Sequence, residues 1–176
     1  MKRMGQGVAA LLCAAMAGMA AGCSSGKLAI PDKFCRVPVE KSSLSSVIPD
    51  GDRLKQTYED LESRPGASCN MSVDGHSVLA VNLLRWDRAP DPVDWDKVGS
   101  PYKHAARREV SFPGYASIGS SHAIVQATCN TRTAYMSFVV DFFGDRVENT
   151  STGYKKLQRF IDDFVPQETK KFDCTK

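Results

Sequence analysis

Residues 68–86, SCNMSVDGHSVLAVNLLRW, contain the pattern that decides the fold. Two runs, 68–73 and 77–86, flank Asp74-Gly75, a dipeptide typical of a tight β-turn. The second run contains several residues that favour an extended strand. We therefore predict an antiparallel β-hairpin that turns at Asp74 and Gly75.

A second pair of strands is predicted downstream of this hairpin. Residues 122–129 and 134–143 flank a turn at 130–133, and the segment YMSFVVDFF (135–143) strongly favours a strand. Helices are predicted at 39–48, 102–109 and about 151–165, whereas residues 55–65 fit either a helix or an irregular segment. The pattern predicts an α+β fold, in which helices pack on a curved antiparallel sheet within a single compact domain.

Apolar residues in the first and last predicted helices indicate which sides are buried. The first helix places Val39, Leu44, Val47 and Ile48 on its buried side, and the last places Tyr154, Leu157, Phe160, Ile161 and Phe164 around one face. These faces are expected to cover the sheet.

The N-terminus has the three parts of a secretory signal. Lys2 and Arg3 precede the uncharged stretch VAALLCAAMAGMAA (8–21), and small residues lead into Cys23. A cysteine directly after the cleavage site resembles a bacterial lipobox, whose cysteine carries the lipid. Ordinary cleaved secretion and an uncleaved membrane anchor are the alternatives, but a stretch made mostly of Ala, Gly and Met inserts weakly into a bilayer.

This interpretation divides the chain into a signal peptide at 1–22, a lipidated tether at 23–33 and one domain at 34–176. Without Lys2 and Arg3, the 23 basic residues fall to 21 against 20 acidic ones, a net charge of +1. A near-neutral domain gives no argument for a nucleic-acid partner. We expect the protein on the extracytoplasmic face of the cell membrane, held there by its N-terminal lipid.

Four cysteines remain after Cys13 leaves with the signal and Cys23 takes the lipid. An even number in an oxidising compartment predicts two disulfides. Of the three possible pairings we predict Cys35–Cys69 and Cys129–Cys174, because each joins the start or end of a predicted helix to a predicted strand. The main rival pairs Cys69 with Cys129 and Cys35 with Cys174.

The most basic short segment is a candidate anion-binding site. On the predicted helix 102–109, Lys103 and Arg107 share one face, and His104 and Arg108 share another. Such a helix can bind an anionic envelope polymer or phospholipid headgroups. The alternative is a solvated helix face whose charges pair with neighbouring carboxylates.

Sequence patterns for catalysis and metal binding are weak. There is no H-E-x-x-H and no G-x-S-x-G motif, and Asp91, Asp94 and Asp96 lack the spacing of a calcium loop. A hydrolase triad that uses His122 or His76 stays open as an alternative. We predict no catalytic residue, no metal ion and no cofactor.

Several features together resemble small lipoproteins of high-GC Gram-positive bacteria. They are the lipobox at Cys23, Cys35 before the first helix, Cys69 opening a strand, FPGY at 112–115 and Cys129 after Ala-Ile-Val. The resemblance implies an α/β/α sandwich similar to the Mog1/PsbP-like fold, and it carries over no catalytic residues. It favours a non-enzymatic module that binds an envelope ligand or protein. A secreted hydrolase and a structural or inhibitor-like interaction module are the alternatives.

The lipid anchor predicts a specific result for Cys23→Ser. The natural protein should partition into detergent and carry a diacylglyceryl mass on an N-terminal cysteine, because two acyl chains give stable anchoring. The variant should be released or left unprocessed. Phase partitioning and mass spectrometry of the mature N-terminus test this, and an unmodified Cys23 at that terminus would contradict it.

Overall fold

Seven strands form one antiparallel sheet in the computed structural model, which describes residues 28–174. The strands of this sheet are β3 (Leu54–Asp60), β4 (Gly66–Val73), β5 (His76–Trp86), β6 (Ala106–Arg108), β7 (Gly114–Ile118), β8 (His122–Thr128) and β9 (Tyr135–Phe142). Their order is β3-β4-β5-β9-β8-β7-β6. A separate two-stranded sheet joins β1 (Lys33–Phe34) to β2 (Val37–Pro38), and the helices are α1 (Lys41–Ser45), α2 (Trp95–Gly99) and α3 (Tyr154–Lys171). The predicted signal peptide and Cys23 lie outside the described residues.

The predicted hairpin is confirmed as β4 and β5. Asp74 and Gly75 have φ values of 51° and 85°, the left-handed conformations that a two-residue type I′ turn requires. Val73 faces His76 across this turn. The second predicted pair is also confirmed, since β8 and β9 are antiparallel neighbours at the centre of the sheet.

One face of the sheet packs against α3 and forms the core. Along β9, Met136, Phe138, Val140 and Phe142 point to this face, and the same alternation continues in the neighbouring strands. The rings of Phe160 and Phe164 on α3 stack at 5.2 Å and meet Phe34 from β1. The α+β class is therefore confirmed, with helices packed on an antiparallel sheet.

α3 is longer at its C-terminal end than the sequence predicts. It begins at Tyr154 and continues through Pro166 to Lys171 rather than ending near Val165. Proline cannot donate to the carbonyl of Asp162 one turn earlier. The Oγ of Ser111 donates to that carbonyl at 3.3 Å, which helps the helix to accommodate the proline.

α1 is shorter than the predicted helix at 39–48, although the predicted apolar side is buried. Only Lys41–Ser45 is helical, and turns carry the chain on to Ile48. Asp163 of α3 accepts hydrogen bonds from the Glu40 amide at 2.7 Å and from the Ser43 hydroxyl. This carboxylate joins the start of α1 to α3.

The predicted helix at 102–109 is wrong. His104 has a φ of 58°, which a right-handed helix cannot contain, and Ala106–Arg108 pairs with β7 as an edge strand. The ambiguous segment at 55–65 is mostly β3, the other edge strand of the sheet. Both segments bury few of their side chains, so the spacing of their apolar residues says little about whether they form helices or strands.

Two disulfides join the helical layer to the sheet with the predicted pairing. Cys35–Cys69 has a Cα–Cα distance of 5.4 Å and Cys129–Cys174 one of 4.6 Å. The first connects the β1–β2 turn to β4, and the second connects the end of β8 to the segment after α3.

Leu28 and Ile30, inside the predicted tether, are partly buried against the core. Within residues 28–174, no helix is long and apolar enough to span a membrane.

Glu168 on α3 is a fully buried carboxyl group. Its side-chain oxygens have no hydrogen-bond partner among the described residues, and the Lys171 Nζ lies 3.5 Å away. Burial raises the pKa of Glu168 from 4.5 to about 7, although Lys171 opposes the shift. Between about pH 4.5 and pH 7 the folded protein therefore holds a proton on Glu168 that the unfolded chain releases.

We predict that Glu168→Gln stabilises the protein at neutral and alkaline pH. Because the folded pKa is the higher one, stability falls as pH rises from about 4.5 to about 7 and then levels off. The gain in the free energy of unfolding from Glu168→Gln should be near zero at pH 4 and at most about 3 kcal/mol above pH 7. Chemical denaturation across this range measures it. Glu62→Gln, at an exposed turn position, is the control, and a gain independent of pH would contradict the prediction.

Candidate functional site

Two cavities adjoin at the β6 edge of the sheet. One, of about 550 Å³, is lined by Arg107, Arg108, Glu109, Val110, Gly114 and Tyr115. The other, of about 370 Å³, is lined by Pro90, Asp91, Pro92, Val93, Trp95, Arg107, Tyr115 and Gln126. Because Arg107 and Tyr115 line both cavities, we treat the two as one site and call it the edge groove.

Strand pairing places the central residues of the edge groove. Arg107 lies opposite Ser117 on β7, so both point to the face of the sheet away from α3. Tyr115, two residues before Ser117, points to the same face. The Arg107 Cζ lies 5.0 Å from the centre of the Tyr115 ring, a cation–π distance.

Trp95 adds a second aromatic ring to this part of the groove. It is the first residue of α2, and its ring stacks on Tyr115 at 5.9 Å and 28°. Asp94 caps α2 by accepting from the amides of Asp96 and Lys97. Tyr115 remains 44% exposed despite both neighbours. The groove therefore presents aromatic surface beside a guanidinium group.

Arg108 points to the opposite face of β6, as alternation along a strand requires. Its Cζ lies 3.8 Å from the ring centre of Tyr154, the first residue of α3, and its Nε is buried without a hydrogen-bond partner. Among the described residues, neither Arg107 nor Arg108 forms a salt bridge. Both guanidinium groups therefore lie against tyrosine rings and are not paired with a carboxylate among the described residues.

The structure separates the four predicted anion-binding residues into two pairs. Arg107 and Arg108 line the edge groove, whereas Lys103 and His104 lie exposed in the turn between α2 and β6 and do not line either cavity. The shared helix faces predicted for these residues do not exist. Sequence reasoning missed Trp95, Tyr115 and Tyr154, since only the pairing of β6 with β7 brings these rings to the arginines.

Among the acidic residues near α2, Asp94 has a structural role. Asp94 uses its Oδ1 to cap α2, which leaves it unsuited to join a calcium site with Asp91 and Asp96. Over residues 28–174, no group of three or more His, Cys, Asp or Glu side chains is placed to hold a metal ion.

The buried side chain of His122 forms a dyad with Asp141, whose side chain is 34% exposed. Its Nδ1 lies 2.6 Å from the Asp141 Oδ1, and the ring of Tyr102 stacks on it at 3.6 Å. The His122 Nε2 is buried and has no partner among the described residues. The neighbouring Ser120 hydroxyl donates to Asn149 instead, and His76 lies exposed at the β4–β5 turn.

A second buried hydroxyl lies near this dyad. Ser117 faces Ile124 across β7 and β8, and His122 is two residues from Ile124 on the same face, which places Ser117 and His122 diagonally. The Ser117 Oγ is buried without a partner in the described part of the chain. Gly99 packs against it so closely that a Cβ there would lie 2.3 Å from the oxygen.

Comparison with known proteins found no matching family model, no matching curated protein and no matching solved structure. The resemblance to small bacterial lipoproteins therefore stays a prediction that depends on the residues themselves.

Proposed function

We propose that the chain is a membrane-anchored extracytoplasmic lipoprotein whose domain binds an anionic ligand of the cell envelope without catalysis. Two lines of support bear on the location. The N-terminal sequence has the order of a lipoprotein signal. The two disulfides are typical of proteins that fold in an oxidising compartment.

One observation carries the ligand-binding part of the proposal. Arg107 and Arg108 line the same cavity, both lie against tyrosine rings, and neither is paired with a carboxylate among the described residues. A guanidinium group presents a rigid fork of N–H donors that matches carboxylate and phosphate groups. The tyrosine contacts hold each guanidinium group in place before the ligand arrives, which lowers the entropic cost of binding.

The unsatisfied Nε of Arg108 supports the same proposal. A buried donor without an acceptor costs free energy, so a ligand that supplies an oxygen there recovers that cost. Trp95 and Tyr115 add apolar ring surface beside the charge. The groove therefore suits a ligand that combines an anionic group with a flat or ring-shaped apolar face.

We predict that Arg107→Gln and Arg108→Gln each weaken binding to a polyanion. Loss of a charge-assisted hydrogen bond costs about 1.5–3 kcal/mol, which is about tenfold or more in affinity. On immobilised dextran sulfate, both variants should elute at lower salt than the natural protein. Arg132→Gln, which removes an exposed arginine from the β8–β9 loop, is the matched control.

The control separates a groove effect from a general charge effect. All three variants lose one positive charge, so elution of Arg132→Gln together with the two groove variants would contradict the proposal. The folded state of each variant is checked by circular dichroism and thermal unfolding.

A second candidate function is hydrolysis, and the His122–Asp141 dyad favours it. Asp141 holds the His122 ring, and the unpartnered Ser117 hydroxyl lies diagonally across the strand pair. In such a site the imidazole takes the serine proton while the oxygen attacks an acyl carbon, and it then gives that proton to the leaving group as the old acyl bond breaks. A water molecule, deprotonated by the same imidazole, afterwards releases the acyl group from the serine. Gly99 and Tyr102 cover these side chains, so substrate access requires residues 95–105 to move.

A fluorophosphonate probe tests this second function. If Ser117 is a nucleophile, the natural protein should be labelled, and Ser117→Ala should lose the label while Ser120→Ala keeps it. His122→Gln should slow labelling by orders of magnitude, because the hydroxyl then lacks its base. An unlabelled natural protein, or a label that persists in Ser117→Ala, rules the candidate out.

A further inference from the structure

The chain enters the domain at the sheet edge opposite the edge groove. The carbonyl of Lys33 accepts a hydrogen bond from the Gln56 side chain of β3 at 3.0 Å. Just before it, the carbonyl of Asp32 accepts from the Val39 amide. These contacts place the entry of the chain beside β3, whereas β6 ends the sheet on the other side.

The distance between the two edges is large. Six steps separate β3 from β6 in the strand order, and strands lie about 4.8 Å apart, which gives about 29 Å. The sheet is open, because β3 and β6 do not pair with each other, and the 29 Å is a distance along the sheet. The groove and the chain entry therefore lie at opposite ends of the sheet.

The predicted tether is short compared with this distance. Five Cα-to-Cα steps lead from Cys23 to Leu28, whose side chain already packs against the core. A fully extended chain spans at most about 3.5 Å per residue, or about 17 Å here. If Cys23 is lipidated as proposed above, Leu28 stays within about 17 Å of the bilayer surface, which favours an orientation with the β3 edge, beside which Lys33 lies, nearest the bilayer.

The edge groove also opens away from the anchored side. Its lining includes Arg107 from one face of β6 and Arg108 from the other, so the cavity wraps around the outer edge of the last strand. When the sheet stands on its β3 edge, this opening points outward from the membrane. When the sheet lies flat with the Arg107 face toward the membrane, the groove faces the lipid headgroups, so the inference requires the edge-on orientation.

We propose that the edge groove binds an anionic polysaccharide of the cell wall and not the headgroups of the membrane that anchors the protein. The chemistry of the lining agrees with this ligand class. Trp95 and Tyr115 offer ring surface on which the apolar face of a sugar can stack, and the two arginines suit its carboxylate or phosphate groups. The proposal depends on both the anchor and the groove proposed above.

The ligand class is tested with the lipidated protein in phosphatidylcholine vesicles and polygalacturonate as the probe. We expect saturable binding that Arg107→Gln and Tyr115→Ala weaken at least tenfold and that Arg132→Gln leaves unchanged. A second arm mixes the unanchored Cys23→Ser protein with phosphatidylglycerol vesicles. Vesicle binding that depends on Arg107 would show a headgroup ligand and overturn the inference.

The outcomes separate this inference from the proposed function. If dextran sulfate retention depends on Arg107 but polygalacturonate does not bind, the groove is an anion site and the polysaccharide inference is wrong. If neither polyanion responds to Arg107→Gln, the proposed function itself is wrong.

The orientation has its own measurement. Energy transfer to a labelled lipid is compared for a donor dye at Gln56→Cys on β3 and at Gln126→Cys in the groove. The edge-on orientation predicts clearly lower transfer from residue 126. Equal transfer from the two positions would mean that the sheet lies flat, which removes the geometric basis for the inference.

Discussion

A single long helix covers only one face of a sheet that is wider than the helix, and this mismatch shapes the rest of the domain. α3 has 18 residues and is therefore about 27 Å long, but its diameter of about 10 Å spans only two or three strands. The remaining core is covered by α1 and the β1–β2 hairpin, segments too short to stay in place alone. Asp163, the Cys35–Cys69 disulfide and the aromatic contacts of Phe34 attach them to α3 and the sheet.

On the other face of the sheet, α2 is the one helical cover that residues 28–174 supply, and the proposed sites lie beside it. α2 is five residues long and is positioned by the Asp94 cap, the contact of Gly99 with Ser117 and the stack of Trp95 on Tyr115. Such a small element cannot fill the space above β6 and β7, so cavities remain on both sides of Tyr115. The unpartnered Ser117 oxygen lies under Gly99 of α2, and the unpartnered His122 nitrogen belongs to a ring that Tyr102, just after α2, covers.

The parts of the fold that could be predicted from the sequence depend on local turn signals or on the pairing of cysteines. Asp74-Gly75 defines its turn by backbone conformation alone, and the cysteines could be paired because each lies beside the boundary of a predicted element. β3 and β6 were missed because edge strands bury few side chains and so lack a clear apolar period. The segment Ala-Ala-Arg-Arg favours a helix in isolation, but pairing with β7 overrides this preference. Trp95 and Tyr115 could not be joined to Arg107 until that pairing was known.

The basic segment is a strand and not the predicted helix, and this difference alters the kind of ligand that it can bind. On a helix, Lys103 and Arg107 would form a stripe on one convex face, a shape that fits a flat anionic surface. In a strand, Arg107 and Arg108 point to opposite faces, and in the interior of a sheet they would be too far apart to act together. Because β6 is the last strand, the two side chains instead reach around a free edge into one cavity. An anionic chain narrow enough to enter a groove can contact both guanidinium groups there. A bilayer surface is flat on this scale, so its headgroups cannot enter the cavity to reach both groups at once.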